Sequence, residues 1–330
     1  MNKKQMILTF DYEVFLGKDS GNIDNSLLKP TDRILKIFKE NNAKGLFFVD
    51  ATFLWEMKKE KSSCYEKVKE QLHEILDSGS DIGLHIHPHW LDARAIGECK
   101  WTFEKYDKYR LHNLSEVEKK EVIFNSSTVL NEIVHEYDPA YKIEAFRAGG
   151  WCIQPFKDIK NELKNVGIKY DFSVLPGMKQ DKRPRQYYDY INYPKNKIFW
   201  KFDDDILREV ENGCFTEIPV TMYKMNLYDW MKNKKLIKNH KIMGDGRGGA
   251  KPMPLFEKLL KVRWNMSKKL SSDRMSFILF KKYLDKNKND LIVYVAHPKL
   301  FSEDSFKSLE YICIHFNTIR IQNINTKINE

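Results

Sequence analysis

The hydrophobic positions of this chain form two alternating patterns: short apolar runs of strand length, and longer stretches in which apolar residues recur at helical spacing. The clearest apolar runs are MILTF at 6–10, DIGLHI at 81–86, IEAF at 143–146, GIKY at 167–170 and LIVYVA at 291–296. Helical spacing lies between most of them. This alternation predicts an α/β fold with parallel strands.

The sequence also marks the ends of several helices. Ser63 and Ser115 each begin a capping-box pattern, with a Glu three residues later, and apolar residues at helical spacing follow both. Gly79 and Gly167 are suited to the C-terminal ends of the helices that precede strands 81–86 and 168–175. We therefore expect helices that lead directly into strands.

Two stretches interrupt the rhythm, at about 176–214 and 226–254, because they are rich in Gly, Pro and charge. We interpret the chain as a single domain over residues 1–330 with these stretches as rim insertions. They are either irregular surface structure or a wall that covers the substrate. In the second interpretation Arg247 or Lys251 binds an anionic group of the substrate.

The charge balance allows two interpretations. Lys and Arg number 56 against 46 Asp and Glu, a formal net charge of +10. This excess favours substrates that carry phosphate or an anionic membrane surface, but a solvated, Lys-rich surface explains it equally. The sequence contains no nucleic-acid-binding motif, so we expect no nucleic-acid partner.

Cysteine usage and hydropathy bear on location. The five cysteines are scattered and form no C-x-x-C pair, which predicts free thiols in a reducing cytosol. The N-terminus lacks the apolar region of a signal peptide, and no run of about 18 apolar residues is present to span a bilayer. We therefore expect a cytoplasmic protein without a transmembrane segment.

Groups capable of chemistry follow the apolar runs. They are Asp11, His85, His87, His89, Arg147, Asp171 and His297. Because the carboxyl ends of parallel strands share one rim, these groups are predicted to converge on a single site.

The histidines of IGLHIHPHW are the strongest local signal. His85, His87 and His89 share one face if the strand continues, whereas a turn at Pro88 lets His85 and His89 converge with a carboxylate from elsewhere. Neutral imidazoles and a carboxylate with open coordination positions form a catalytic site for Zn²⁺ or a similar first-row ion. His87 is either a ligand or a group that supports one.

The carboxylate is supplied by FDYE. Asp11 and Glu13 lie on one side of an extended segment, so one can bind the metal while the other accepts a proton from the attacking water. Which of the two acts as the base stays open.

The motifs FDYE, GLHIHPH, FRAGGW, YDFSVLPG and VYVAHP, in this order over residues 8–298, resemble the polysaccharide deacetylases of carbohydrate esterase family four. The resemblance implies a distorted (β/α) barrel of about seven parallel strands, with the rim insertions added. The implied reaction is metal-dependent removal of acetyl groups from N-acetylated sugars.

The resemblance also implies a role for each motif residue. Asp11 matches the catalytic base, and Glu13, His85 and His89 match the metal ligands, with His87 as an additional possible ligand. The motif FRAGGW supplies Arg147, which orients the base, and Trp151, which contacts substrate.

Two roles concern the leaving group. His297 matches the general acid that protonates the leaving amine, and Asp171 is the candidate partner that keeps it charged.

The chain departs from the family pattern at several motifs. Glu13 replaces an aspartate, His87 is extra, RAGGW replaces R-x-P-[YW], and DFSVLPG replaces D-x-x-D-W. These differences suggest a subgroup with a different acceptor.

For the cofactor we expect Zn²⁺, with Co²⁺, Ni²⁺ or Mn²⁺ as alternatives. The expected substrate is an N-acetylated sugar of a surface polysaccharide or its cytoplasmic precursor, linked to a nucleotide or a lipid. The alternatives are a related metal-dependent amidase or O-acetyl esterase, and a barrel that binds glycan without catalysis. The oligomeric state is left open.

Overall fold

The computed structural model describes residues 3–195, 197–248 and 265–324. The strands are β1 Gln5–Tyr12, β2 Leu46–Asp50, β3 Asp81–Ile86, β4 Arg94–Gly97, β5 Lys100–Thr102, β6 Ala145–Ala148, β7 Tyr170–Asp171, β8 Lys179–Lys182, β9 Gln186–Asp189, β10 Trp200–Phe202, β11 Phe215–Glu217, β12 Met222–Asn226, β13 Asn265–Lys269, β14 Leu291–Ala296 and β15 Asn317–Thr318. The α-helices are α1 Lys29–Asn41, α2 Ala51–Lys59, α3 Cys64–Asp77, α4 Glu116–Tyr137, α5 Lys160–Asn165, α6 Leu227–Leu236, α7 Phe277–Asp285 and α8 Glu303–His315.

One curled sheet organises the fold. Its strands follow the order β10-β11-β7-β6-β3-β2-β1-β14, and β15 pairs with β1 beside this path. The strands from β11 to β14 in this order are all parallel to their neighbours, whereas β10 is antiparallel to β11. The expected distorted barrel of about seven parallel strands is confirmed in the part of the chain that the structure describes.

The barrel is distorted because its two ends are joined by short loop contacts, with no continuous ladder between β11 and β14 among the described residues. Val220 donates from its amide to the carbonyl of Val174, and Thr221 donates to the carbonyl of Val293 at 3.1 Å. The Thr221 hydroxyl also accepts from the Val293 amide at 2.9 Å. A few hydrogen bonds therefore join the two ends of the curled sheet, which strand pairing does not connect.

The helix predictions had mixed outcomes. Ser115 forms the expected capping box with Glu118 at the start of α4. Ser63 makes no capping hydrogen bond to α3, and its hydroxyl donates to Glu98, so the box predicted there is wrong. Gly79 and Gly167 have φ of 76° and 88°, the left-handed conformation expected after a helix end.

The prediction of five free thiols is also wrong. Cys64 and Cys99 form a disulfide with Cα atoms 6.0 Å apart, a separation typical of such bridges. The two cysteines are 35 residues apart in the sequence, and nothing in their spacing marks them as partners. Cys152, Cys214 and Cys313 are free.

The stretch 176–214 contains the β8–β9 hairpin and strand β10, and it buries Tyr190 and Trp200 against the main core. The stretch 226–254 contains α6, and its part from residue 249 on, including Lys251, lies outside the described residues. Their description as rim insertions of a single domain stays a prediction. Among the described residues, no helix is both long and apolar enough to cross a membrane.

The closure contact can be tested by Thr221→Val. The substitution keeps the side-chain shape but leaves the buried Val293 amide without its acceptor, so we expect the free energy of unfolding to fall by about 1–3 kcal/mol. The measurement is chemical denaturation. Thr216→Val is the matched control, since Thr216 is equally buried, at 7% against 6% exposed, and should be nearly neutral. Equal losses would show that this hydrogen bond does not stabilise the closure.

Candidate active site

Strand alternation determines which side chains enter the barrel, because every second residue of a strand faces the same side. Ile7, Phe48, Ala145 and Val293 from four strands pack together inside it. An even number of positions after each of these apolar residues, a polar residue faces the same side of the sheet. These groups are Asp11, Asp50, Arg147 and His297. These polar groups at the strand ends therefore lie at one rim of the barrel, as predicted.

Arg147 and Asp11 form the central ion pair. Arg147 is fully buried, and its Nη1 donates to Asp11 Oδ1. Its Nη2 donates to Thr9 Oγ1 at 2.8 Å, and its Nε donates to the carbonyl of Phe172 at 3.1 Å. Burial raises the pKa of Asp11, but the charges of Arg147 and the nearby histidines outweigh it and lower that pKa to about 2. Asp11 is therefore an ionised carboxylate in a fixed orientation.

Glu13, His85 and His87 form a compact group of possible ligands. One ligand atom from each lies within 4.8 Å of the other two. Glu13 Oε2 is 2.6 Å from His87 Nε2 and 3.4 Å from His85 Nε2. Burial raises the pKa of Glu13, but Lys299 and the two histidines outweigh it and lower that pKa well below its usual range. The group therefore combines one carboxylate with two imidazoles.

This group fits a divalent first-row metal. His85 Nδ1 lies 2.6 Å from the carbonyl of Arg147, which as acceptor turns the Nε2 lone pair toward Glu13. Glu13 Oε2 and His87 Nε2 are buried without a hydrogen-bond partner despite their short separation. Buried polar atoms without partners are costly, and a cation between them would satisfy both.

His297 faces this group from β14. Its Nε2 is 3.3 Å from Asp11 Oδ2 and 3.6 Å from Glu13 Oε1. Its Nδ1 is 2.6 Å from Asp273 Oδ2, and its backbone amide donates to Asp273 Oδ1 at 3.1 Å. Burial raises the pKa of Asp273, but His297 and Lys269 outweigh it and leave that pKa below its ordinary value. Asp273 is thus an ionised partner that orients the imidazole.

Comparison with known proteins now adds to this geometry. The polysaccharide deacetylase family model matches residues 1–170, just over half of the chain. The chain belongs to the polysaccharide deacetylase family. No curated protein shows significant similarity to it.

Several solved structures are similar to this polysaccharide deacetylase family member at low sequence identity. A protein from Mycobacterium smegmatis classed as a polysaccharide deacetylase is 12% identical, with a TM-score of 0.50 over 100% of this chain and 91% of the other. A family 4 carbohydrate esterase from Streptomyces lividans, in complex with acetate, is 9% identical, with a TM-score of 0.40 over 99% and 91% of the two chains. A peptidoglycan N-acetylglucosamine deacetylase is 14% identical, with a TM-score of 0.42 over 98% and 88%.

His89, predicted as the second histidine ligand, lies outside the group formed by Glu13, His85 and His87. Its ring stacks on Tyr109 with centroids 5.2 Å apart, and Phe103 packs against its edge. Pro88 ends the strand and begins a 3₁₀ turn, so His89 leaves the face that His85 and His87 share. Burial and the neighbouring His87 lower the pKa of His89 well below its ordinary value. His87, the alternative that the sequence left open, lies with Glu13 and His85 in the group of possible ligands.

The unusual RAGGW motif is explained by His87. A Cβ on Gly149 would lie 2.7 Å from His87 Nδ1 and 2.4 Å from the carbonyl of Ile86. Only a glycine leaves room for the imidazole at this position. Both the His87 imidazole and the Ile86 backbone therefore require a glycine where the family pattern has proline.

Asp171, predicted to support His297, points away from it. Tyr170 and Phe172 enter the interior cluster, so alternation turns Asp171 to the opposite face. There it hydrogen-bonds to Glu217, and burial raises the pKa of both carboxyl groups, that of Glu217 well above its usual range. Asp273 lies against His297, where Asp171 was predicted to lie.

Two further residues near the site were missed. Lys299 Nζ donates to Glu13 Oε1 at 2.8 Å, which leaves Oε2 to the histidines. Asp50 is fully buried at the end of β2 and accepts from Trp90 Nε1 at 2.6 Å. Asp50 follows the apolar run LFFV, and Lys299 lies two residues after His297, so both carried a sequence signal.

The predicted substrate-contacting residues differ in position. Trp151 lies beside the ion pair, with its ring centroid 5.1 Å from Arg147 Cζ. Arg247 is exposed, and its backbone pairs with Asp19 on the loop after Glu13. No described contact joins its side chain to the ligand group.

The choice between His87 and His89 predicts different effects on metal binding. We expect His87→Ala to weaken zinc binding by more than about 100-fold, because it removes a direct ligand. His89→Ala should leave zinc affinity close to the wild-type value. Competition against a chromophoric chelator measures both affinities. A larger loss for His89→Ala would reverse the assignment.

The buried Asp171–Glu217 pair predicts a pH-dependent stability. Glu217 has a raised pKa in the folded protein, so its contribution is complete below about pH 4.5, the unfolded value, and is lost as the pH rises. Glu217→Gln removes this ionisation. We expect the variant to gain about 1 kcal/mol or more of unfolding free energy relative to wild type between pH 4 and pH 8.

Denaturant unfolding at both pH values measures this difference. Glu121→Gln, at an exposed site on α4, is the control and should show no such change. If the difference in unfolding free energy between Glu217→Gln and wild type is the same at pH 4 and pH 8, the raised pKa of Glu217 is contradicted.

Proposed function

We propose that this protein is a metal-dependent hydrolase that removes an N-acetyl group from a sugar. The observation that carries the proposal is the arrangement of Asp11 and His297, 3.3 Å apart and each fixed by a buried partner, beside the ligand group. Membership of the polysaccharide deacetylase family supports the same reaction.

Glu13, His85 and His87 would bind the metal. The donor set suits Zn²⁺, with Co²⁺, Ni²⁺ or Mn²⁺ as alternatives. When bound, such an ion supplies Lewis acidity toward the acetamide carbonyl and lowers the pKa of water. Lys299 neutralises part of the charge of Glu13 through its second oxygen.

Asp11 is the proposed base. Its pKa of about 2 keeps it ionised at neutral pH, and Arg147 leaves Oδ2 free to accept a proton from the attacking water. Glu13 is less suited to this role because Lys299 occupies one of its oxygens and the histidines face the other. Arg147 acts through Asp11 as a positioning residue.

His297 is the proposed acid. Its Nε2 points toward Asp11 and Glu13, while Asp273 binds Nδ1 and stabilises the protonated ring. Proton donation to the leaving nitrogen completes cleavage of the amide bond. Both proton-transfer groups therefore have a dedicated buried partner.

The proposed substrate is an N-acetylated sugar of a surface polysaccharide or of its cytoplasmic precursor. The cytoplasmic location stays a prediction, and the Cys64–Cys99 disulfide argues against it, since such bonds persist mainly in oxidising compartments.

The proposal is tested by acetate release from N-acetylglucosamine oligosaccharides, nucleotide-linked N-acetylglucosamine and an O-acetylated xylan, with zinc present. We expect the N-acetylated substrates to release acetate. Release from the O-acetyl ester alone would assign an esterase, and no release from any substrate would contradict the proposed hydrolase.

Asp273→Asn should separate catalysis from folding. We expect kcat to fall by about 100-fold or more, because the His297 imidazole loses the carboxylate that orients it. Asp285→Asn, at an exposed site on α7, should behave as wild type. A kcat close to the wild-type value in Asp273→Asn would show that Asp273 does not support the acid.

A further inference from the structure

A cavity lies next to His297, the proposed acid, on the side of its partner Asp273. It has a volume of about 290 Å³ and is formed by the antiparallel β12–β13 pair, helix α6 and the loop that follows β13. Asp273 lines this cavity and also binds His297. The cavity is therefore adjacent to the candidate active site through one shared side chain.

The cavity is strongly cationic. Its charged lining consists of Lys234, Lys268, Lys269, Arg274 and Asp273. Lys269 Nζ is 3.9 Å from Asp273 Oδ2, but Asp273 already binds His297 at 2.6 Å. Among the described residues, no acidic side chain forms a salt bridge with the other three cations. Four positive charges thus face one carboxylate that is engaged elsewhere.

The lysines are held near each other by the fold. Lys268 is half-buried, and it pairs with Tyr223 across the β12–β13 ladder. Burial and the charge of Lys234 both lower the pKa of Lys268. Like charges that line one cavity repel each other, and an anion between them would relieve the repulsion.

Aromatic groups shape one side of the cavity. Lys234 Nζ lies 3.6 Å from the centroid of the Trp230 ring, which places the ammonium over the indole face. Tyr223 and Trp230 both line the cavity. The lining therefore combines cations with flat apolar surfaces, as suits a phosphate that bears an organic group.

Lys269 connects the cavity to the reaction centre. Its Nζ lies 5.1 Å from the Trp151 ring centroid, and the same ring lies 5.1 Å from Arg147 Cζ. Trp151 is thus a common neighbour of Arg147, which binds Asp11, and of Lys269 at the cavity. The two sites are thus connected by one continuous row of side chains.

We propose that this cavity binds the phosphate of a phosphorylated N-acetylated sugar, so that the substrate is a sugar phosphate or diphosphate with its acetamide at the candidate active site. The inference rests on the proposed function for the acetamide end, whereas phosphate binding depends on the cavity alone. Both nucleotide-linked and lipid-linked sugars carry this chemistry.

Binding tests the cavity without requiring catalysis. The full chain, freed of metal by a chelator, is titrated calorimetrically with N-acetylglucosamine 1-phosphate and with N-acetylglucosamine. We expect the phosphorylated sugar to bind at least about tenfold more tightly, as an ion-paired phosphate would. Raising the salt concentration should reduce this preference.

The variants identify the residues responsible. The preference should be lost in Lys234→Ala/Lys268→Ala and kept in Lys232→Ala/Lys235→Ala, whose lysines are exposed on α6 outside the cavity. Thermal denaturation checks folding, and Lys234→Gln/Lys268→Gln is a second version with longer side chains. Equal affinity for the two sugars, or equal loss in both double variants, would overturn the proposal.

Turnover then separates this inference from the proposed function. The zinc-loaded wild type is assayed for acetate release from N-acetylglucosamine 1-phosphate, a nucleotide-diphosphate sugar and an isoprenyl-diphosphate sugar in detergent micelles. A preference for any of these over N-acetylglucosamine supports the cavity and identifies the phosphate source. Acetate release without a preference for phosphorylated sugars would support the proposed hydrolase and contradict phosphate binding in the cavity. Phosphate binding that depends on the lysines, without acetate release from any sugar, would support the cavity proposal and contradict the proposed hydrolase.

Discussion

The buried guanidinium of Arg147 joins three strands of the barrel. It extends from β6, binds Asp11 and Thr9 on β1, and binds the carbonyl of Phe172 after β7. Burying a charge is costly unless its hydrogen bonds are satisfied, and here side chains and backbone satisfy all three nitrogens. The ion pair also sets the ionised state of Asp11. The position of the candidate base, and through it the geometry facing His297, depends on this contact.

The same arrangement recurs throughout the site: a reactive group is fixed by a partner from another segment of the chain. His85 is oriented by the carbonyl of Arg147, His297 by Asp273, and Glu13 by Lys299. Each partner occupies one atom and leaves another free for chemistry. Thus Glu13 directs Oε1 to Lys299 and Oε2 to the histidines, and the division of labour within FDYE follows from these neighbours.

Local pattern was sufficient to predict much of this site. Asp11, Glu13, His85, Arg147 and His297 end or follow strands, and strand alternation with parallel pairing brings them together. The sequence could not decide between His87 and His89, because the outcome depends on where Pro88 ends the strand and on the space that Gly149 leaves. Both are properties of the packed structure.

Other features were beyond sequence reasoning for a physical reason. Asp171 was misassigned because the alternation of Tyr170, Asp171 and Phe172 separates two faces of the segment without showing which of them lines the barrel interior. Asp273 lies on a loop without periodicity, 24 residues before its partner His297. The Cys64–Cys99 bridge joins positions 35 residues apart without a spacing signature. Contacts of this kind depend on how distant segments meet.

The most direct test of the central claim is a crystal structure of the zinc-loaded protein with anomalous diffraction recorded at the zinc edge. The account predicts one strong peak bound by Glu13, His85 and His87, with Asp11 still paired to Arg147 and His89 still stacked on Tyr109. A peak bound by His89, or no peak in the barrel at all, would contradict it.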